Sequence, residues 1–174
     1  SAGHVRSALN SSATDGAGVS QIALRTNTHD INRRYAEREL AITMTWKNLH
    51  DRILEMAKDT VFPDDKLGWK PHPDARSVLD EFRHVTIGLE MTSARLAGKP
   101  LDYAARDKAD ASKPKTRASV VSEMEAAIAV SYPLVEKNAQ PLLIGWLDHQ
   151  GEHYGKLVTA YRVNGIVPPV SRPK

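Results

Sequence analysis

The chain has 174 residues, 41% hydrophobic and 26% charged, with a formal net charge of +3; this is the composition of an ordinary globular domain, without the basic stripe that a nucleic-acid groove needs. No stretch approaches the roughly eighteen uninterrupted apolar residues of a bilayer-spanning helix, and the absence of cysteine excludes disulfides, thiolate metal ligands, iron–sulfur clusters and a cysteine nucleophile together. A chain without thiols carries no mark of its redox compartment; it reads as cytoplasmic, with an exported form after removal of a signal segment as the alternative.

Residues 1–28, SAGHVRSALNSSATDGAGVSQIALRTNT, are rich in Ser, Ala, Gly and Thr and lack a sustained apolar period. They are expected to form a flexible tail, in which Ile22 and Leu24 could begin an anchoring turn. Residues 29–169 are expected to form a single domain. Over 29–60, Tyr35, Ile42, Trp46, Leu49, Ile53 and Met56 recur at three, four or seven residues, the pattern of a long amphipathic helix. Phe62-Pro63 and Lys70-Pro71-His72-Pro73 then impose a connector, because proline lacks a donor and restricts its predecessor. A second helix is expected over 74–97, carrying Val78, Phe82, Val85, Leu89 and Leu96 and stopped at Gly98-Lys99-Pro100. Residues 101–114 read as polar and irregular. A third helix begins near Thr116, whose hydroxyl can cap it, with Val120, Val121, Met124, Ile128 and Val135 on one face and Pro133 as its kink or end. The fourth runs from Pro141 through Leu142, Leu143, Trp146, Leu147, Leu157 and Tyr161 to Asn164-Gly165. An extended tail follows, with residues 170–174 outside the domain. The economical architecture is all-α, a four-helix bundle, and the connection over 98–115 is long enough to cross it.

The residues that carry chemistry are histidines. His149 and His153 are four apart, which on a helix places both imidazoles on one face with β-carbons about 5–6 Å apart, a spacing suited to two ligands of one divalent ion. A third ligand must come from another helix. His84, at mid-length of the second, is the leading candidate, with Glu81, Gly88 and Met91 one turn away and the glycine expected to leave open volume beside it. Gly151 and Gly155 are expected to do the same on the fourth helix. Three neutral imidazoles with vacant positions describe an exchangeable or catalytic site, whereas spacing alone favours a solvated or structural pair.

His149-Gln-Gly-Glu-His153 also matches the His-x-x-Glu-His pattern of inverted zinc peptidases, but no Asp or Glu follows His153 to supply the downstream ligand. Glu152 is left as a group that could support a ligand or accept a proton. Asp148 adjoins His149 yet cannot face it on a helix, so a Ser-His-Asp triad has no support. His50, one turn from Trp46 and Ile53, reads as a satisfied interface histidine, and His4, His29 and His72 as solvent-facing. Trp46, Trp69 and Trp146 read as core or loop anchors.

Two separated segments go beyond pattern. His149-Gln-Gly-Glu-His153-Tyr-Gly-Lys-Leu157, continuing into Tyr161-Arg-Val-Asn-Gly-Ile-Val-Pro-Pro169, resembles the last helix and exit of the DinB/YfiT-like family. Asp65-Lys-Leu-Gly-Trp69-Lys-Pro71-His-Pro73-Asp-Ala-Arg76-Ser77, followed by Phe82-Arg-His84-Val85, resembles its connector and second helix. The likeness spans about Trp46 to Pro169. It implies a four-helix bundle with crossover connectivity, a homodimer, and a divalent metal held by His84, His149 and His153, with Zn or Ni the leading candidates. It further implies a metal-dependent transferase or isomerase that uses a low-molecular-weight thiol on a small-molecule substrate, with an apolar cavity lined by Trp46, His50 and Met91. The alternative is a non-catalytic bundle that binds metal or a small ligand. No residue is assigned as a catalytic acid or base. Lys156 departs from the glutamine usual in the family, which implies an altered support for a ligand and a weaker hold on the metal.

Overall fold

The structure is a computed structural model that describes the backbone of residues 16–173 and the side chains of residues 28–173. Among the described residues it is all-helical, with α1 (Gly16–Lys58), α2 (Val78–Leu96), α3 (Tyr103–Ala111), α4 (Arg117–Lys137) and α5 (Leu142–Val163), two short 3-10 turns and no strand. The chain divides into two units, Ser1–Glu37 and Arg38–Lys174. The second holds the core.

Helix α1 starts at Gly16, within the segment read as a tail, and not near His29. Ile22 and Leu24 belong to it, with side chains outside the described residues; residues 1–15, including His4, lie outside them altogether. From residue 31 to 41 every side chain is exposed, and Tyr35, expected on the apolar stripe, is among them. This stretch shows the short-range ion pairs Arg33–Asp30 at 2.7 Å, Arg34–Asp30 at 3.0 Å and Arg33–Glu37 at 3.9 Å, a local support that leaves no apolar period to read.

In the second unit, Ile42, Trp46, His50, Ile53, Met56 and Ala57 of α1 are buried at helical spacing. Polar ties fix the partners: the Trp46 Nε1–H donates to Ser131 Oγ of α4 at 3.0 Å, and the Tyr161 hydroxyl of α5 donates to the Met56 carbonyl at 2.8 Å. Helix α2 is buried almost all round and packs on α3, α4 and α5. Its N-terminal donors are all used: Val78 and Leu79 N–H reach the Trp69 and Leu67 carbonyls, Asp80 N–H reaches Ser77 Oγ and Glu81 N–H the Ser77 carbonyl. It stops as the glycine signal implies, with Gly98 at φ 71° and Lys99 N–H returning to the Ala94 carbonyl at 2.8 Å. Helix α5 ends the same way at Gly165, φ 74°.

Two expectations are corrected, and the alternative left open at Pro133 is decided. Residues 101–114 are not irregular, because α3 lies there, capped by Asp102, whose Oδ1 accepts from Ala104 and Ala105 N–H. Its only buried residue is Asp110, so it is attached by charge and shows no apolar face. Arg83 of α2, 4% exposed, donates to Asp110 Oδ2 at 2.6 Å, to the Asp110 carbonyl at 2.7 Å and to the Pro114 carbonyl at 3.0 Å. Arg106 of α3 grips Glu90 of α2 at 2.5 and 3.0 Å. Pro133 does not end α4, which continues to Lys137 with Val135 buried. The last residues are not simply extended: a 3-10 turn spans Pro169–Ser171, and Arg172 pairs with Asp59 just past α1. Helix α4 is long and apolar enough, by length and composition, to cross a membrane. Its Val120, Met124, Ile128 and Val135 are instead buried in the core against α2.

Candidate metal centre

Helix α5 packs on α2, and this seam brings His84 of α2 together with His149 and His153 of α5. One ring nitrogen from each lies within 4.8 Å of the other two. The Nε2 atoms of His149 and His153 are 3.1 Å apart, close to the ~3.3 Å separation of two ligands 2.0–2.1 Å from one tetrahedral zinc. The His84 ring centroid is 4.6 Å from that of His153 and 5.8 Å from that of His149.

The groups behind the ligands select which nitrogens face the centre. His153 is buried, and its Nδ1–H donates to Glu81 Oε1 at 2.5 Å, so Nε2 is the ring nitrogen turned toward His149. Burial would raise the Glu81 pKa, but the hydrogen bond and charge of His153, together with Lys156 and Arg76, outweigh it and hold the carboxyl below its ordinary value. On the other side the Tyr103 hydroxyl lies 3.2 Å from His84 Nδ1, so Nε2 is the ring nitrogen left over. Burial, reinforced by the charge of Arg76, lowers the His84 pKa to about 4. The same causes in weaker form, burial first and then the His153 charge, lower that of His149. Both imidazoles are therefore neutral, with lone pairs available, at neutral pH. The donor set fits a borderline divalent ion: three imidazole nitrogens, one backed by a carboxylate, with positions left over for exogenous ligands.

All three histidines singled out from the sequence are thus brought together. Other expectations fare differently. Gly88 does not leave open volume beside His84: a Cβ there would lie 2.3 Å from Gln150 Nε2, so the glycine admits the buried Gln150 amide. Gly151 and Gly155 do have open space beside them. Trp46 and His50 are wholly buried, their tilted rings 4.5 Å apart, and neither they nor Met91 line the cleft that abuts the site. That cleft, about 820 Å³, is instead walled by Trp69, Arg76, Glu81, Glu152, Lys156 and Leu157 among others. His29 and His72 are exposed, as expected. Lys156 touches no histidine but reaches Glu81 Oε1 at 3.8 Å, so it acts on the centre through that carboxylate.

Two functional residues were missed. Tyr103 sits in the segment read as irregular, and only Asp102 as a helix cap hinted at the element that presents it. Glu81 was noticed as a neighbour of His84, whereas it supports His153; its spacing of three from His84, which turns both toward α5, was the available signal. No protein-family model matches this chain, and no curated protein or solved structure matches it either.

Proposed function

We propose that the chain is a DinB/YfiT-like four-helix bundle with crossover connectivity, a homodimeric cytoplasmic protein that uses a divalent ion, Zn or Ni, to activate a low-molecular-weight thiol for transfer or isomerisation of a small electrophile. The observation that carries the reading is the approach of the His84, His149 and His153 nitrogens to within 4.8 Å of one another, with Glu81 hydrogen-bonded behind His153. When bound, such an ion supplies Lewis-acid chemistry, lowering the pKa of a thiol or water at an open position. The chain's own residues do the rest. Glu81 fixes the tautomer and ring plane of His153, Tyr103 does so for His84, and Arg76 and Lys156 set the charge at the cleft beside them.

A non-catalytic metal or small-ligand binder is the second reading. It is favoured by the commitment of Glu81, the carboxylate that reaches the histidines, to His153, which leaves it no lone role as a base. The deciding experiment for the centre is elemental analysis of the purified full chain beside a variant with His84, His149 and His153 all replaced by alanine. Near-stoichiometric metal that disappears in the variant is expected. No metal in either protein after incubation with Zn or Ni would remove the thiol chemistry and the metal binder together and leave only a small-ligand binder. A screen of thiols with electrophiles on the loaded protein then separates turnover from binding.

A further inference from the structure

Two cations at the cleft beside the histidines have no hydrogen-bonded partner, only long contacts to a single acid. Arg76, on the connector just before α2, approaches Glu81 Oε2 only to 4.0 Å, and Lys156 of α5 approaches Oε1 only to 3.8 Å. Both separations exceed a hydrogen bond, and among the described residues neither side chain has another ion-pair partner. They remain 44% and 57% exposed on the cleft wall. The one carboxylate they share already accepts a 2.5 Å hydrogen bond from His153. Two cations therefore flank the buried Glu81 with their own donors unused. Of the other acids that line the cleft, Asp74 is 93% exposed and screened by solvent and salt, and Glu152 is exposed as Lys156 is.

The rest of the wall includes Trp69, Val78, Leu157 and Ala160. A cleft of about 820 Å³ with an apolar surface and a few convergent polar groups has the size and character of a small-molecule site. The N-terminus of α2 offers no free donor here, because its first four N–H groups are already paired. Recognition of an anion must come from the two side chains. A carboxylate, with one charge and two oxygens matching the fork of an arginine, suits a wall that also carries acids better than a doubly charged phosphate does.

We propose that this cleft binds a small organic carboxylate, held by Arg76 and Lys156 with its apolar body against Trp69 and Leu157. That this carboxylate belongs to the substrate or thiol used at the histidine centre rests on the function proposed above; the binding itself does not. The test uses 3-phenylpropionate and its uncharged analogue 3-phenylpropionamide, titrated into the full chain and read by Trp fluorescence and calorimetry at constant salt. Measurements are made on the protein as purified and after chelator treatment. The carboxylate is expected to bind at least about tenfold more tightly than the amide in both preparations, the advantage of a charge-assisted pair. It is expected to lose most of that preference in Arg76→Gln plus Lys156→Gln, a variant confined to half-exposed side chains that keeps its circular dichroism. Equal affinity for acid and amide, no binding of either, or a preference that survives the double substitution would each overturn the proposal. A preference retained by chelator-treated protein that proves unable to take up metal would sink the metal centre and leave this site standing. The converse, metal uptake without the preference, would sink this site alone.

Discussion

Replacing Glu81 by glutamine isolates what the carboxylate does for His153. The side chain is buried, 6% exposed, and its Oε1 lies 2.5 Å from His153 Nδ1. The amide has nearly the same volume and can still accept the Nδ1–H, so the ring keeps its orientation and only the charge behind it is lost. Loss of such a partner lowers metal affinity by roughly 10–100-fold, or about 1.4–2.7 kcal/mol. Glu81→Ala removes orientation as well and is expected to fall at or beyond the weak end of that range. The measurement is competition for Zn against a chromogenic chelator at pH 7, with circular dichroism as the folding control. An affinity unchanged in both variants, with the fold intact, would refute the inference that Glu81 poises His153 as a ligand.

Three further outcomes are expected. Tyr103→Phe, which removes the hydroxyl 3.2 Å from His84 Nδ1, should weaken metal binding by up to about tenfold while leaving the metal-free melting temperature nearly unchanged; no change in affinity would reduce Tyr103 to a bystander. Gly88→Ala drives a Cβ into the end of the buried Gln150 side chain; the overpacking cost of about 1–3 kcal/mol less about 1 kcal/mol of helix propensity should leave a net destabilisation of at most about 2 kcal/mol in urea unfolding, with Gln150→Ala less than additive in combination; full additivity would mean the two do not compete for the same space. Burial lowers the His50 pKa to about 4 against the opposing hydrogen bond to the Trp46 carbonyl and the charge of Asp51. The unfolded chain takes up that proton near 6.5, so the stability present above pH 6.5 is lost as pH falls toward 4, by up to about 3 kcal/mol. His50→Leu should flatten that acid limb, and an unaltered slope between pH 7 and 4.5 would count against the assignment.

How far the sequence could be read depended on what holds each element in place. Helices α2, α4 and α5 were legible because burial writes a period into the chain, as with Val78, Phe82, Val85 and Leu89, and because Thr116, Gly98 and Gly165 punctuate it; the start of α2, expected at 74, lies at Val78 because Ser77 caps it. The early part of α1 and the whole of α3 were not. Residues 16–28 of α1 are rich in Ser, Ala, Gly and Thr without a sustained apolar period, and α3 is bound through Arg83, Arg106 and Asp110, so neither writes an apolar stripe into the sequence. Pro133 was ambiguous because proline lacks its own donor, yet α4 carries it on an exposed turn. At the candidate centre, the pair His149 and His153 follows from helix geometry alone. His84 needed the tertiary seam between α2 and α5, and Tyr103 needed an element that the apolar pattern does not encode. The cleft moved for a related reason: Trp46 and His50 turn into the core, Trp46 to pair with Ser131, and so cannot line a site.

The histidine cluster is not what joins these helices. The apolar core runs from Ile42 and Trp46 through Phe82 and Leu89 to Leu157 and Tyr161 without any of the three histidines. The Trp46–Ser131 and Tyr161–Met56 hydrogen bonds tie α1 to α4 and α5 independently of them. A purely structural seam between α2 and α5 would be served as well by two apolar side chains at positions 81 and 153, which carry no desolvation cost. Instead the chain buries a carboxylate and an imidazole against each other, 8% and 2% exposed at their side chains. It also turns the free imidazole nitrogen toward two more, His149 on the same helix and His84 across the seam. The partners of Glu81 offset its burial, but the pair gains nothing over two apolar side chains, whereas the basicity it confers on His153 would serve a cation held by three nitrogens. On this argument metal removal should leave the helical content of the protein unchanged while abolishing whatever chemistry the cleft supports.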